Sequence, residues 1–269
     1  MKLIPLLALA LCCAGGAVQA ATTADRLYVL DCGEGHADDQ SLWTPGENVG
    51  KKVDMSENCY LIRHGSEWLL FDTGLADSVA DHPEGTRIEQ IKTTWFRKAR
   101  LADEIAQLGL KPSDIQWLAL SHSHPDHTGN VELFPKATLL VQAAEYTWPA
   151  LDGGPRFLPA HPAKQLNGDY DVFGDGSVVI LSTPGHTRGH QSLLVQLATT
   201  GAVVLSGDAV HFQQSWEHQW VPSQNADADA TRASMRKISD ILAREHAQLW
   251  INHEMRQSRS QRYAPAFYD

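Results

Sequence analysis

Short apolar runs separated by polar loops punctuate the chain from residue 26 to residue 251. The runs at 68–71 (WLLF), 117–120 (WLAL), 177–181 (SVVIL), 202–205 (AVVL) and 248–251 (QLWI) are rich in Leu, Ile and Val. A strand with one wet face would alternate, so continuous runs of this length predict strands covered on both faces. Further strands are predicted at 26–30, 58–63, 138–142 and 191–196, and HGSE at 64–67 reads as the turn of a hairpin. Helical spacing is rarer. Leu101, Ile105 and Leu108 share a face in 100–110, with Gly109 suited to end the helix. Met235, Ile238 and Leu242 share another in 229–247, with acidic residues early and Arg244 late. The stretch 85–105 (GTRIEQIKTTWFRKARLADEI) reads as a further helix ahead of the strand at 117–120. Strands, a helix, strands again and a late helix predict an α/β layered protein, its sheets covered by helices.

The apolar runs share one feature: each ends in a polar residue able to hold a metal. WLLF is followed by Asp72, WLAL by SHSHPDH, SVVIL by STPGH, AVVL by SGD and QLWI by NH. The loop SHSHPDH holds three histidines and an aspartate in six positions. In extended backbone residues i and i+2 point the same way, so His122 and His124 can serve one ion. Pro125 then turns the chain, and Asp126 and His127 leave it facing elsewhere. Zinc takes imidazole and carboxylate donors, usually four per ion, so two ions need more than this loop supplies. His186, Asp208 and His253 supply the rest. The chain has 13 histidines, and a loose scatter of them would mean nothing. Their common placement at predicted strand ends, where sites gather on loops held by a rigid frame, is what points to a metal site.

Composition narrows the classes of function. The chain has 269 residues, 43% of them hydrophobic, enough to bury a sizeable core. A formal net charge of −10 argues against a broad nucleic-acid or anionic-membrane surface. Residues 1–20 (MKLIPLLALALCCAGGAVQA) read as a signal peptide: Lys2, a short apolar run, and small residues before Ala21. The expectation is a periplasmic or secreted mature chain, 21–269, forming one domain without stable membrane insertion. Cys32 and Cys59 then remain, either paired in an oxidising compartment or as buried thiols.

HxHxDH, followed by TPGHTRGH, SGD and a late NH, with FDTG near the start, resembles the metallo-β-lactamase superfamily. The likeness runs from about Arg26 to His253. It implies a four-layer αββα sandwich with the metal site at one edge of the two sheets. Carried over residue by residue, it implies one ion on His122, His124 and His186, and a second on Asp126, His127 and His253. Asp208 would bridge them, with Asp72 a structural support rather than a ligand. Two divalent ions, Zn2+ above all, would share a water and lower its pKa toward ~7, giving a hydroxide that attacks an ester-like carbonyl. Asp126 would orient it and pass a proton to the departing oxygen.

His124 stands where the oxygen-reducing branch of the superfamily has glutamate, and Asp208 is generally lacking in the lactam-hydrolysing branch; both favour a different hydrolase. RLYVLDCGEG, the long loop to CYLI, and SGDAVH resemble the N-acyl homoserine lactone lactonases, which implies lactone ring opening. An organophosphate or aryl-ester hydrolase is the enzymatic alternative, and a metal-binding protein without catalysis the non-enzymatic one. Many of these lactonases carry a tyrosine three residues after the bridging aspartate, and this chain has His211 there. His211 is expected to support the lactone carbonyl, a solvent-facing loop histidine being the plain alternative. An acyl tail needs an apolar groove, for which Trp43, Trp95, Phe96, Phe157, Trp216 and Trp220 are candidates; the same residues could pack the core or join a homodimer.

Overall fold

The computed structural model describes residues 22–150 and 152–269, so the signal peptide expected at 1–20 lies outside the described residues. Strands β1 (Arg26–Ala37), β2 (Val53–His64) and β3 (Glu67–Phe71) form an antiparallel meander. β4 (Thr86–Ile88) and β5 (Thr93–Phe96) extend it on the β1 side. On the other side, β6 (Trp117–Ala119), β7 (Thr138–Gln142) and β8 (Ala163–Leu166) add in parallel. The resulting sheet has the order β4-β5-β1-β2-β3-β6-β7-β8. A second sheet contains β9 (Tyr170–Asp171), β10 (Val178–Ser182), β11 (Gln191–Leu197), β12 (Gly201–Leu205) and β13 (Gln248–Trp250), in the order β13-β12-β11-β10-β9.

Alternation along the strands builds the layers. Leu27 and Val29 of β1 enter the central core with Ile62, Phe71, Ile180, Val195 and Leu205, which joins the two sheets. Their neighbours Tyr28 and Leu30 face the other way, onto Leu101 and Ile105 of helix α1 (Leu101–Ala106). On the far side of the second sheet, Leu194 and Val204 meet Ile238 and Ile241 of a long helix, Ala228–Glu245. Helix, sheet, sheet, helix is the αββα sandwich. These side chains are buried, so truncating one to alanine costs about 2–5 kcal/mol.

The predicted strands are present, two of them longer than expected. β1 continues to Ala37 through Gly33, Glu34 and Gly35, whose composition reads as a loop; the register shifts there between Asp31 and Glu34. The helix expected over 85–105 is corrected. Residues 86–96 are a hairpin whose turn is a single 3-10 turn at Glu89–Ile91 ended by Lys92 in the left-handed region, and only 101–106 is α-helical. Thr93, Thr94 and the two aromatics favour extended backbone, and β1 gives them a ladder to join. Cys32 and Cys59 are disulfide-bonded neighbours across β1 and β2, with Cα atoms 5.8 Å apart.

Candidate metal centre

Every candidate ligand lies just beyond a strand, at the same edge of the two sheets. β6 leads to His122 and His124, and to α2 (Pro125–Thr128), which carries Asp126 and His127. β10 leads to His186, β12 to Asp208 and β13 to His253. Local chemistry fixes these loops. Gly207 has φ +50°, and a Cβ there would come within 2.7 Å of both His190 and Ser121. The backbone N–H of Ala226 and of Asp227 donate to the carbonyls of His186 and Gly185. Asp227 then caps the long helix, accepting from the N–H of Asp229 and Ala230.

Three overlapping groups of side chains could hold a metal, His122-His124-His186-Asp208, Glu57-Asp126-His127-His253 and Asp208-His211-His253, and they gather into two clusters around the two oxygens of Asp208. In the first, His122 Nε2 and His186 Nε2 lie 2.9 and 3.0 Å from His124 Nδ1. Oδ2 of Asp208 lies 3.7 and 3.3 Å from the same Nε2 atoms of His122 and His186. Tetrahedral donors at ~2.0–2.1 Å from zinc are separated by roughly 3.3 Å, so the spacing fits an ion at the centre. Three imidazole nitrogens and a carboxylate oxygen converge here, which is the donor set that zinc takes. In the second cluster, Asp208 Oδ1 lies 3.2 Å from His127 Nε2 and 3.1 Å from His253 Nε2, with Asp126 beside them. Among the described residues, neither Asp208 Oδ1 nor His127 Nε2, both buried, finds a hydrogen bond of good geometry. Asp208 therefore gives one oxygen to each cluster. These seven residues fit two divalent cations.

The outer nitrogens are held from behind. His127 Nδ1 lies 2.9 Å from Asp72 Oδ2, and Asp72 Oδ1 accepts from the N–H of Ser121. His253 Nδ1 donates to the Ser56 carbonyl at 3.0 Å. Each contact keeps a proton on Nδ1 and turns Nε2 toward the site. Asp72 takes its position because its φ of +62° turns the chain sharply after β3.

Electrostatics divides the clusters. Burial pushes His122 and His186 well below the usual imidazole range and lowers His124, so these rings are neutral. Burial also pulls at His127 and His253, but carboxylates overcome it. Glu57, Asp208 and Asp72 push His127 well up, and Asp208 and Glu57 push His253 up to about 10. Burial likewise opposes ionisation of Asp208, yet His253, His127 and His211 hold it well below the usual carboxylate range.

His211 does not face solvent. It is buried, its Nε2 lies 3.1 Å from Asp208 Oδ2, and its ring stacks on His253 at 5.3 Å. The site floors a cavity of about 590 Å³, lined by His124, Asp126, His186, His211 and an apolar wall including Trp43, Met55, Leu75 and Trp95. The aromatic groove is thus corrected: of six candidates, Trp43 and Trp95 line this cavity. Alternation in β5 buries Trp95 and turns Phe96 away, against His36. Phe157 stacks on Tyr146, Trp216 packs in the cores under the long helix, and Trp220 stacks on His218.

Three contributors escape a reading of strand ends. His190, the second histidine of TPGHTRGH, donates through Nδ1 to the Thr183 carbonyl and accepts the N–H of Asp208 on Nε2; burial lowers it to about 3. Glu145 is buried, accepting from the N–H of Ser123 and of Gly189, and so ties the loops of His124 and His186 together. It follows β7 much as the ligands follow theirs, which was a usable signal. Glu57 is buried inside β2, and its signal was the unbroken polar triplet Ser56-Glu57-Asn58 within an apolar strand.

Residues 53–244 match the Metallo-beta-lactamase superfamily. The chain is 31% identical over 260 residues to the N-acyl homoserine lactonase AttM of Azorhizobium caulinodans, covering 91% of this chain and 98% of that one. It is 29% identical over 257 residues to an N-acyl homoserine lactonase of a Bacillus species, covering 91% and 99%. Among solved structures, an N-acyl homoserine lactone hydrolase with the product N-hexanoyl-L-homoserine at its catalytic metal centre superposes with a TM-score of 0.80, at 26% identity, covering 91% of this chain and all of that one. By sequence and by fold, the chain belongs to the metallo-beta-lactamase superfamily.

Proposed function

We propose that this hydrolase opens the lactone ring of N-acyl homoserine lactones, with two divalent ions, Zn2+ foremost, held by His122, His124, Asp126, His127, His186, Asp208 and His253. One observation carries the reading: two donor clusters sharing Asp208 form the floor of an apolar cavity of about 590 Å³. That volume is in the range of small-molecule pockets, and a polar floor under an apolar wall suits a polar ring carrying an acyl tail. The names of the relatives support the same substrate class.

Divalent ions held by these residues would supply Lewis acidity, lowering the pKa of a bound water and polarising the substrate carbonyl. The chain's own groups do the rest. Asp126 is part-exposed at the cavity floor, placed to accept a proton from the attacking water and deliver it to the ring oxygen as the C–O bond breaks. His211 presents an imidazole at the same floor and supports the lactone carbonyl by donating a hydrogen bond. Trp43 and Trp95 exclude water from the acyl side.

We also take residues 21–269 as one mature domain exported to the periplasm or beyond. The Cys32–Cys59 disulfide supports export, because such bonds persist in oxidising compartments. A mature N-terminus at Ala21 in the periplasmic fraction or culture medium is the expected finding.

The test is to follow proton release from a long-chain acyl homoserine lactone, and colour from paraoxon and a chromogenic β-lactam, with and without chelator. Lactone turnover abolished by chelation is expected. Turnover of paraoxon alone would transfer the reading to an organophosphate or aryl-ester hydrolase. No turnover of any substrate by folded, metal-loaded protein would leave a binding protein. For His211, kcat and KM of His211→Ala and His211→Gln decide, and wild-type values in both would remove it from the chemistry.

A further inference from the structure

Glu57 has no part in the chemistry just described, yet it is fully buried against it. Its Oε1 lies 3.9 Å from His127 Nδ1, and its Oε2 lies 3.5 Å from His253 Nδ1. Those are the nitrogens turned away from the site, since both Nε2 atoms face Asp208. Glu57 is close enough to Asp126, His127 and His253 to be counted among the possible ligands, but it stands behind the two rings, on the Nδ1 side away from Asp208. Oε1 accepts from Nδ2 of Asn252 at 2.7 Å, and Oε2 has no hydrogen-bond partner among the described residues. Ordinary structural glutamates are not left this way, because burying a carboxylate with one bare oxygen is costly.

Around Glu57 the first sheet is laced to the last ligand loop. Ser56 Oγ donates to the Asn252 carbonyl at 2.6 Å, and the N–H of Asn58 donates to Asn252 Oδ1 at 3.2 Å. His253 Nδ1 donates to the Ser56 carbonyl. The triplet Ser56-Glu57-Asn58 thus sets Asn252 and His253 in place, though they arrive from the other sheet.

Charge explains why the central member of the triplet is an acid. Two divalent cations face only the carboxylates of Asp126 and Asp208 within the donor set, which leaves an excess of positive charge in a buried site. Asp72 offsets part of it behind His127. Among the described residues, no carboxylate but Glu57 reaches the outer nitrogen of His253. In a poorly solvated interior such a charge acts strongly through one intervening ring.

From this geometry we infer that Glu57 is a positioning residue that selectively strengthens binding of the second cation, by orienting His127 and His253 and balancing its charge from behind them. The inference rests on the two-cation reading given above.

The test uses the mature chain and its Glu57→Gln variant, stripped with chelator and titrated with Zn2+ against a chromogenic competitor, with thermal melts of the metal-free and loaded forms. Wild type is expected to take two ions with separable dissociation constants. In E57Q the first ion binds as in wild type, the second binds roughly 10–100-fold more weakly, and the metal-free protein melts no lower than wild type. Wild-type affinity for both ions in E57Q overturns the inference while leaving the two-cation reading intact. So does equal weakening of both ions with a lowered metal-free melt, or a variant that cannot be isolated folded, since either assigns Glu57 to fold stability alone. A wild-type chain that binds fewer than two ions overturns the two-cation reading, and the inference with it.

Discussion

The two donor clusters differ in what stands behind them. His122, His124 and His186 are lowered by burial and enter the site as neutral rings. His127 and His253 are backed by Asp72 and Glu57, and carboxylates raise both. The first cluster is a ready set of lone pairs. The second is a pair of protonated rings in which a cation must displace protons. Similar ligand types can therefore form unlike sites, according to the charge one ring away.

Removing the shared element should have the largest effect. Asp208→Asn leaves one charge fewer for both ions, so it should lose two-ion binding and reduce lactone turnover to background, as metal analysis beside proton release will show. Asp126→Asn should lower kcat by about 10²–10⁴-fold, the usual worth of a positioned acid or base, and flatten the pH profile of turnover.

Asp72→Asn should act on one cluster only. Asparagine tolerates the left-handed backbone found there, so the turn after β3 survives while the charge behind His127 is lost. Affinity for the second ion should fall roughly 10–100-fold, with the first unchanged in the same competition titration.

pH sharpens the contrast. His253 has its pKa raised from 6.5 to about 10 in the metal-free fold. Its contribution to metal-free stability is therefore full below the unfolded value and is lost as pH rises through about 10. At pH 7, binding at this cluster must release the protons of His127 and His253, so affinity for the second ion rises with pH. The neutral first cluster should show a much shallower dependence. Calorimetry in buffers of differing ionisation enthalpy will count the protons.

The smallest effect on this contrast should come from the disulfide. It lies under the turn that carries Asp72: a Cβ on Gly74 would come within 2.3 Å of the Cys32 Cβ. Cys32→Ala with Cys59→Ala should lower unfolding free energy by ~3 kcal/mol, as expected for a crosslink spanning a short loop, in denaturant titration. Both ions should still bind.

What the sequence reveals about this site follows from how the site is made. The candidate ligands stand out in the sequence because each terminates an apolar run, and such runs mark covered strands without reference to the rest of the fold. The β4–β5 hairpin does not, because TTWF becomes a strand only where β1 offers an edge. Trp95 and Phe96 could not be sorted until the strand's alternation was known. Glu57 was hidden more deeply, since its meaning comes from residues 70 and 196 positions away. Spacing reveals what one loop does; charge placed behind a ring by another strand emerges only when the sheets are assembled.

Lactone turnover measured against the number of ions bound per chain decides whether both clusters work together. Turnover should stay low up to one ion and reach its plateau at two. Full turnover in metal-free or one-ion protein, or none in folded protein carrying two ions, would contradict a two-cation lactonase.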